Sequence, residues 1–318
     1  MVGTGWGGTG CWYRPRGLTR LGAPFMLREV GLAQSAMEGD LDGLYAERLL
    51  RLVRESSLDA AVILAQEEPY REDGERIADA GSFHVPNDHV LGLARRHREF
   101  LPAVSIHPAR RDALNELERC LEAGAVMLKC LPNCQNINWN QRRYRPFLER
   151  MAESGLILLA HTGSERTLPV LDASLASPRV LTQALDVGVT CIAAHCGTGT
   201  MALDPDYFEE FVAMTRQYPR LFGDNSALAA ATFRARPAAL RRMMEGELAG
   251  RILHGSDVPV PVTAALLWVS GLTTYRGWRE TAAIPNPIER DWRIKRMIGF
   301  GEDTATRLST LLRPAARG

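Results

Sequence analysis

The chain has 318 residues, of which 46% are hydrophobic and 24% are charged, and its formal net charge is +1. This composition is typical of a soluble globular protein with a large buried core, and the small charge gives no reason to expect a nucleic acid or an anionic membrane as partner. No apolar run approaches the roughly 18 to 20 residues of a membrane span. The N-terminus shows no basic segment followed by an apolar one, so no secretory signal is expected and the cytoplasm is the predicted location.

The first 25 residues are predicted to form a loop, because glycine is too frequent there for the interior of a strand or helix. Gly3, Gly5 and Gly8 match the GxGxxG spacing of dinucleotide-binding sites. That motif needs a strand before it and a helix after it, and there is no room for a strand before Gly3, so we predict no such site. The first helix is predicted from Leu44 to Glu55, where apolar residues recur at helical spacing.

Apolar strands and amphipathic helices alternate along the rest of the chain, which is typical of a parallel sheet with helices on both faces. Seven strands are predicted, with ends near Ala65, His107, Lys129, His161, His195, Asn225 and Asp257. Helices are predicted after a cap at Asn87 or Asp88 and over residues 110–121, 143–153, 180–185, 207–217, 237–244 and 264–268. A closing helix is predicted within the C-terminal segment 301–318.

From Lys129 to Asp257 the strand ends recur at intervals of roughly 30 residues, which is the length of one strand–helix–strand unit. Eight such units form the common closed barrel, the TIM barrel, and the position left empty in this chain is the first. The missing strand would lie directly before the glycine-rich loop. The fold prediction is therefore a single α/β domain over residues 1–318, a TIM (β/α)8 barrel whose first strand is missing or incomplete.

Six cysteines in a chain of this length do not indicate a disulfide scaffold. Cys130 and Cys134 are close in sequence, but no second pair with the spacing of a zinc site accompanies them. We predict reduced cysteines that pack as small apolar side chains.

Only two of the 38 basic residues are lysines, Lys129 and Lys295. Lys129 ends an apolar strand, where a buried cation is costly without a partner. Lysine can lose its proton and react as an amine, whereas arginine in practice cannot. Lys129 is therefore predicted to be functional; the alternative is a lysine that extends from the strand end toward solvent.

Four strand ends carry side chains that can bind a metal: Lys129, His161, His195 and Asp257. Residues two apart on a strand share a face, so His161 aligns with Leu159 and His195 aligns with Ala193. If those faces point into the barrel, both imidazoles lie at the end where TIM-barrel active sites are found. A lone histidine on an apolar strand is more often a core residue, but two on neighbouring strands, beside an aspartate and a lysine, indicate a site.

Histidine nitrogen and carboxylate oxygen are ordinary ligands of zinc and similar divalent ions, and catalytic sites leave one position for water. The metal lowers the pKa of that water toward neutrality and so supplies hydroxide. Asp257 would ligate the ion and also take the proton from the water as a general base. In isolation, Asp257 in GSDVP could equally be a turn former.

Other polar residues near the strand ends are predicted to contact a small-molecule substrate. They are Glu67, His107 and Asn225, together with the loop 133–140. Loops on that face are generally polar whatever their role, which is the alternative for each of them. His254 is predicted to point away from the site and to be structural.

These residues resemble the amidohydrolase superfamily of metal-dependent TIM-barrel hydrolases, particularly its amidohydrolase-2-like branch, which also includes decarboxylases. The resemblance covers nearly the whole chain, and its motifs are similar to the family's fourth, fifth, sixth and eighth strand segments: VMLKCLPN, LILLAHTGSE, GVTCIAAHCGTG and ILHGSDVP. It implies that His161 and His195 are metal ligands and that Asp257 is both ligand and base. In members with two metals a carboxylated lysine of the fourth strand bridges the ions, and Lys129 matches that position.

The chain departs from the family pattern at its beginning. Members carry a His-x-His pair at the end of the first strand, and no such pair occurs before His84. His84 and His107 stand alone in later segments and cannot replace the pair by spacing. Either the natural product starts upstream of this Met, or the barrel is degenerate and has lost its metal; we favour the first explanation because the whole strand is missing while the later ligands remain.

The expected function is a cytoplasmic metal-dependent hydrolase that uses metal-activated water on an amide, ester or lactone, or that decarboxylates a small carboxylic acid. Zinc is the expected metal, with manganese or iron as alternatives. The alternative function is a degenerate, non-catalytic barrel that acts as a binding or assembly protein. The sequence leaves open the substrate and whether the chain forms a homo-oligomer.

Overall fold

The computed structural model describes residues 4–15, 22–200, 203–230 and 237–312. Its strands are β1 (Trp12–Tyr13), β2 (Ala61–Leu64), β3 (Phe83–His84), β4 (Phe100–Val104), β5 (Met127–Cys130), β6 (Ile157–His161), β7 (Cys191–Ala194), β8 (Leu221–Asp224) and β9 (Ile252–Leu253). Its helices are α1 (Ala23–Glu29), α2 (Leu41–Arg54), α3 (Asn87–Arg96), α4 (Ala113–Glu122), α5 (Pro132–Gln135), α6 (Arg145–Ser154), α7 (Thr182–Asp186), α8 (Phe208–Gln217), α9 (Pro237–Met243), α10 (Gly246–Ala249), α11 (Ala265–Val269), α12 (Tyr275–Ala282), α13 (Pro287–Ile298) and α14 (Asp303–Leu311). Within those ranges, no helix has the length and apolarity needed to cross a membrane.

A seven-stranded parallel sheet forms the centre of the molecule, in the order β2, β4, β5, β6, β7, β8 and β9. Each strand pairs with the next strand of the sheet along the chain, as expected of successive strand–helix–strand units. The seven predicted strands are confirmed. His107 and Asp257 lie beyond the ends of β4 and β9, in the loops that follow.

The sheet curls around a common interior, because every strand contributes an apolar side chain to one cluster. These side chains are Val62, Ala103, Met127, Ile157, Ile192, Phe222 and Leu253. The opposite faces of the strands pack against the helices in a larger cluster that includes Leu128, Leu158 and Cys191. This is the arrangement of an α/β barrel with one strand fewer than the closed form, so the predicted fold class is confirmed.

The outer edge of β9 is covered by α14 rather than by a strand. The carbonyls of Arg251 and Leu253 accept hydrogen bonds from the amides of Gly223 and Asn225, on the side of β9 that faces β8. The backbone groups of Ile252 and His254 therefore point away from β8, to the outer edge of the sheet. There the guanidinium of Arg307 donates to the Ile252 carbonyl, and the His254 amide donates to the Thr304 carbonyl at 2.9 Å. Helix α14 therefore satisfies backbone groups that a first strand would pair in a closed barrel.

We expect Arg307→Met to lower the free energy of unfolding by about 1–3 kcal/mol, because it leaves the buried Ile252 carbonyl without its donor. Urea denaturation followed by circular dichroism measures the change. The matched control is Arg276→Met, an exposed arginine of α12, which should change the value by less than about 0.5 kcal/mol. Equal losses in both variants would contradict the proposed role of Arg307.

The N-terminal segment is not the continuous loop predicted for the first 25 residues. β1 pairs antiparallel with β3, and α1 begins at Ala23. In the first turn of α2, the buried carboxylate of Asp42 accepts hydrogen bonds from the amides of Thr4 and Gly5. The glycine-rich residues are therefore ordered around a buried acid, which composition alone did not indicate. Gly3 of the rejected GxGxxG motif lies outside the described residues.

The predicted cap of α3 is wrong. The helix begins at Asn87 itself, directly after Pro86, and not after a cap at Asn87 or Asp88. The Asn87 side chain accepts from the Ser105 amide at 2.8 Å and donates to Glu116 at 2.7 Å. Its amide group is thus used to join β4 and α4 and is not available to cap its own helix.

The six cysteines are free and buried, as predicted. Burial raises the pKa of Cys130 to about 12, and the indole Nε1 of Trp139 donates to its sulfur at 3.3 Å. Such thiols pack as small apolar side chains rather than as nucleophiles or metal ligands.

Candidate active site

A cavity of about 440 Å³ lies at the carboxyl ends of the strands and brings the four predicted metal-binding residues together. Lys129 lies on β5, His161 ends β6, His195 directly follows β7, and Asp257 lies in the loop after β9. Active sites of TIM barrels are found at this face. The convergence of four sequence-distant polar side chains makes this cavity the candidate active site.

Strand alternation directs Lys129 and His161 into the barrel. Met127 and Ile157 belong to the interior cluster, and residues at steps of two along a strand share their face. The side chains of Lys129 and His161 therefore continue those inward rows to the carboxyl end. Their exposed fractions are only 9% and 2%.

His195 reaches the cavity by a route that differs from the predicted one. Cys191 and Ala193 lie in the cluster between strands and helices, whereas Ile192 faces the interior. Regular alternation would therefore turn residue 195 outward, and the predicted alignment of His195 with an inward-facing Ala193 is wrong. The backbone of His195 instead adopts a left-handed conformation, with φ of 63°, and its side chain lines the cavity.

Left-handed backbone conformations recur around the cavity. His195, Ala227 and Asp257 have φ values of 63°, 57° and 60°, and all three line it. Such conformations cost on the order of 1–3 kcal/mol for residues other than glycine, and they cluster at functional sites. Strained backbone at a cavity marks His195 and Asp257 as candidate functional residues.

Asp224 fixes the turn that carries His195. Its Oδ1 accepts from the His195 amide at 2.9 Å and from the Ser226 amide at 3.1 Å. The His195 Nδ1 lies 3.0 Å from the Ser226 carbonyl, which can only accept, and 2.8 Å from the Ser226 hydroxyl, which itself donates to Asp224, so Nδ1 carries a proton. The sequence prediction named Asn225 and missed Asp224, although its position at the end of LFGD was the available signal.

Thr162 joins the two strands that carry the histidines. Its hydroxyl donates to the Ala194 carbonyl at 2.8 Å and accepts from the Gly197 amide at 2.9 Å. The imidazoles of His161 and His195 contact each other edge to face, with their ring centroids 5.1 Å apart and an angle of 70° between the ring planes. The predicted pairing of histidines from neighbouring strands is therefore observed.

Glu165 places a buried carboxylate beside His161. Its Oε2 lies 3.6 Å from the His161 Nε2. Its Oε1 accepts from the amides of Arg166 and Thr167, at 2.8 and 2.5 Å, which fixes the carboxylate in place. The sequence prediction missed Glu165; the signal was an acid four residues after the histidine in HTGSE.

Tyr45 of α2 brings a phenol into the cavity. Burial and the nearby Asp257 carboxylate raise its pKa above the ordinary value. The phenol is therefore protonated at neutral pH and can act as a hydrogen-bond donor beside Asp257. The sequence indicated only an apolar helix face here, and a tyrosine in such a pattern carries no signal that separates a site residue from a core residue.

The residues predicted to bind substrate lie outside the lining of this cavity. Asn225 is fully buried, and its Oδ1 accepts from the Gly255 amide at 3.2 Å, so it joins β8 to the loop after β9. The Nε2 of His107 donates to the Gln135 carbonyl at 2.8 Å. Glu67 lines a second cavity of about 360 Å³, where it forms an ion pair with Arg110. Their contact with a substrate stays a prediction.

His107 makes stability depend on pH. Burial lowers its pKa to about 4, and its Nδ1 accepts from the Ala109 amide at 3.1 Å, which protonation would abolish. Because the pKa in the folded state lies below the unfolded value of about 6.5, this stability is present above pH 6.5 and is lost as the pH falls toward 4.

We expect the titration of His107 alone to lower the free energy of unfolding by about 3 kcal/mol between pH 7 and pH 4. Urea denaturation of the wild type and His107→Gln across that range measures the effect, since the difference between the two proteins should shrink on acidification. Parallel pH dependences would contradict the assignment.

A model of the Amidohydrolase family matches residues 40–267. This span is well over half of the chain and contains Tyr45, Lys129, His161, His195 and Asp257. The chain belongs to the amidohydrolase family. None of the curated proteins matches its sequence.

Two solved structures share the fold of this amidohydrolase. An uncharacterised TIM-barrel protein from Bordetella bronchiseptica is 17% identical, with a TM-score of 0.60 over 96% of this chain and 94% of that one. A putative 2-pyrone-4,6-dicarboxylic acid hydrolase from Pseudomonas putida is 14% identical, with a TM-score of 0.53 over 91% of this chain and 95% of that one. Identities this low show a common fold and nothing more specific.

The donor set of this amidohydrolase suits the divalent metal that the family implies. Two imidazoles face the cavity with the Asp257 carboxylate, and the Nδ1 proton of His195 is bound by the Ser226 carbonyl, as is usual for metal-binding histidines. The predicted ligands are spaced more widely than in a closed coordination sphere.

Among the described residues, the group of potential ligands whose atoms all lie within 4.8 Å of one another is Glu67, Glu68 and His84. Its carboxylates already form ion pairs with Arg110 and Arg76. Arginine partners neutralise the charge that would attract a cation, which favours the candidate active site as the place for a metal.

Proposed function

We propose that this amidohydrolase hydrolyses an amide, ester or lactone, or decarboxylates a small carboxylic acid, in the cavity at the carboxyl ends of its strands. The observation that carries the proposal is the convergence of Lys129, His161, His195 and Asp257 on that cavity. Family membership narrows the chemistry to hydrolysis and related reactions. A cavity of about 440 Å³ is suited to a small molecule.

His161, His195 and Asp257 would hold a divalent metal, with zinc expected first and manganese or iron as alternatives. When bound, such an ion polarises the substrate carbonyl and lowers the pKa of water. Lys129 would join the ligands only as a carbamate. The protein side chains do the rest: Asp257 accepts a proton at its carboxylate, Tyr45 donates a hydrogen bond beside it, and Asp224 holds the orientation of His195.

The substrate is expected to have a small apolar body. Most of the cavity wall consists of apolar side chains, including Met26, Leu27, Leu41, Leu64 and Leu131. These walls exclude water from the reacting groups and strengthen the interactions of the few polar side chains among them.

The test is turnover by the protein loaded in turn with zinc, manganese and ferrous iron. The panel contains 2-pyrone-4,6-dicarboxylic acid, because of the name of the Pseudomonas putida neighbour, together with simple aryl esters, lactones, anilides and aromatic carboxylic acids. We expect turnover within one of these classes and its loss in His161→Ala. Turnover of none of them by a folded, metal-loaded protein would contradict the proposal.

A non-catalytic barrel is the second candidate, and the wide spacing of the predicted ligands favours it. A non-catalytic barrel would bind small apolar molecules saturably in the cavity and would release them chemically unchanged. Calorimetric binding together with product analysis separates the two functions.

A further inference from the structure

Lys129 would join the metal ligands only as a carbamate, and its free amine has no role in the proposed hydrolysis. Its side chain lines the cavity and is 9% exposed. It forms no hydrogen bond or ion pair with any part of the chain that the structure describes. Burial of an unpartnered cation costs free energy, so the position of Lys129 is not explained by stability.

Lys295, the other lysine of the chain, has a structural role and serves as a comparison. It is fully buried, and its Nζ donates to Asp291 at 2.6 Å and to the Gly255 carbonyl at 2.5 Å. The two lysines of the chain are thus similarly buried but differ in their partners. Lys295 is bonded within the fold, whereas Lys129 presents its amine to the cavity.

The surroundings of Lys129 are those in which proteins use lysine as a nucleophile. The cavity that Lys129 lines has apolar walls that include Leu64 and Leu131, while Glu165 and Asp257 supply carboxyl groups at the same cavity. An amine in an apolar pocket attacks carbonyl carbons, and nearby carboxyl groups can transfer the protons that the reaction requires.

We infer that Lys129 binds an aldehyde or ketone with an apolar body as a covalent imine. The amine nitrogen attacks the carbonyl carbon and forms the carbon–nitrogen bond of a carbinolamine. The carbinolamine oxygen then takes a proton and leaves as water, and the nitrogen loses its remaining proton or keeps it as an iminium. Neither an oxidant nor a metal takes part in this addition.

The rarity of lysine makes the test specific, because the only other candidate amines are Lys295 and the N-terminal amine. The full chain is incubated with benzaldehyde and cyanoborohydride, which reduces the imine to a stable benzylamine, and peptide mass spectrometry locates the benzyl group. We expect labelling of Lys129 to exceed that of Lys295 by at least about tenfold and to saturate with benzaldehyde concentration. Benzyl alcohol has the same apolar body but no carbonyl, so as a competitor for the cavity it should slow labelling of Lys129 and leave the N-terminal amine unaffected.

Lys129→Arg keeps the positive charge and removes the nucleophile, so it should abolish saturable labelling while near-ultraviolet circular dichroism stays native. The inference is overturned if benzyl groups appear only at the N-terminal amine or Lys295, or if labelling of Lys129 is linear and unaffected by benzyl alcohol. It is also overturned if carbon-13 bicarbonate shows that Lys129 is a carbamate and benzaldehyde reacts only after carbon dioxide is stripped.

Discussion

Replacement of Asp257 by asparagine is expected to lower turnover by about 10²–10⁴-fold, the usual contribution of a general base. The substitution keeps the shape of the side chain, but an amide accepts no proton from water. The strained backbone at Asp257, with φ of 60°, tolerates asparagine better than most residues, so the fold should be retained. The measurement is the steady-state rate with the substrate class found by the panel.

The control for this prediction is Asp59→Asn, which changes an exposed aspartate at the other end of β2. It should leave the rate unchanged, and circular dichroism of both variants should match the wild type. If Asp257→Asn retains more than about a tenth of the wild-type rate, proton transfer by Asp257 is not part of the reaction.

Replacement of Lys295 by methionine is expected to lower the free energy of unfolding by about 3–5 kcal/mol, because it leaves the Asp291 carboxylate buried without its counterion. Asp291 and Lys295 are both almost completely buried. Burial raises the pKa of Asp291 to about 6, although Lys295 opposes that shift. Loss of Lys295 would also release the Gly255 carbonyl, at the start of the loop that presents Asp257.

The pH dependence and a double variant make this prediction specific. Without Lys295 the folded-state pKa of Asp291 rises further above its unfolded value, so stability is retained at low pH and lost as the pH rises. The deficit of Lys295→Met should therefore be smaller at pH 5 than at pH 8. The double variant Lys295→Met/Asp291→Leu should recover most of the loss; a deficit that is equal at both pH values and persists in the double variant would contradict the ion-pair account.

The alternation of strands and helices and the positions of several candidate site residues could be predicted from the sequence, because both depend on local periodicity. Apolar runs at intervals of about 30 residues predicted the parallel strands, and period-two alternation placed His161 correctly inside the barrel. Alternation failed at His195, since a left-handed residue after the strand reverses the side-chain direction. No local pattern announces such a residue when it is not glycine.

Other parts of the site depend on contacts between distant segments. Helix α13 was not predicted, and its Lys295 bonds to the backbone of the loop that carries Asp257. Tyr45 lies in an ordinary amphipathic helix, and its proximity to Asp257 exists only in the folded chain. Helix α14 likewise covers the edge of β9 through hydrogen bonds between residues about 50 positions apart, and no spacing in the sequence predicts such pairs.

Isothermal titration of the metal-free protein with zinc tests the proposal that His161 and His195 hold a metal ion in this amidohydrolase. We predict one tightly bound ion per chain, with affinity lowered by at least about 100-fold in His161→Ala and in His195→Ala. The matched control, His84→Ala, removes a ligand from the Glu67, Glu68 and His84 group and should bind zinc as the wild type does. Loss of binding in His84→Ala with unchanged binding in His161→Ala would contradict the account.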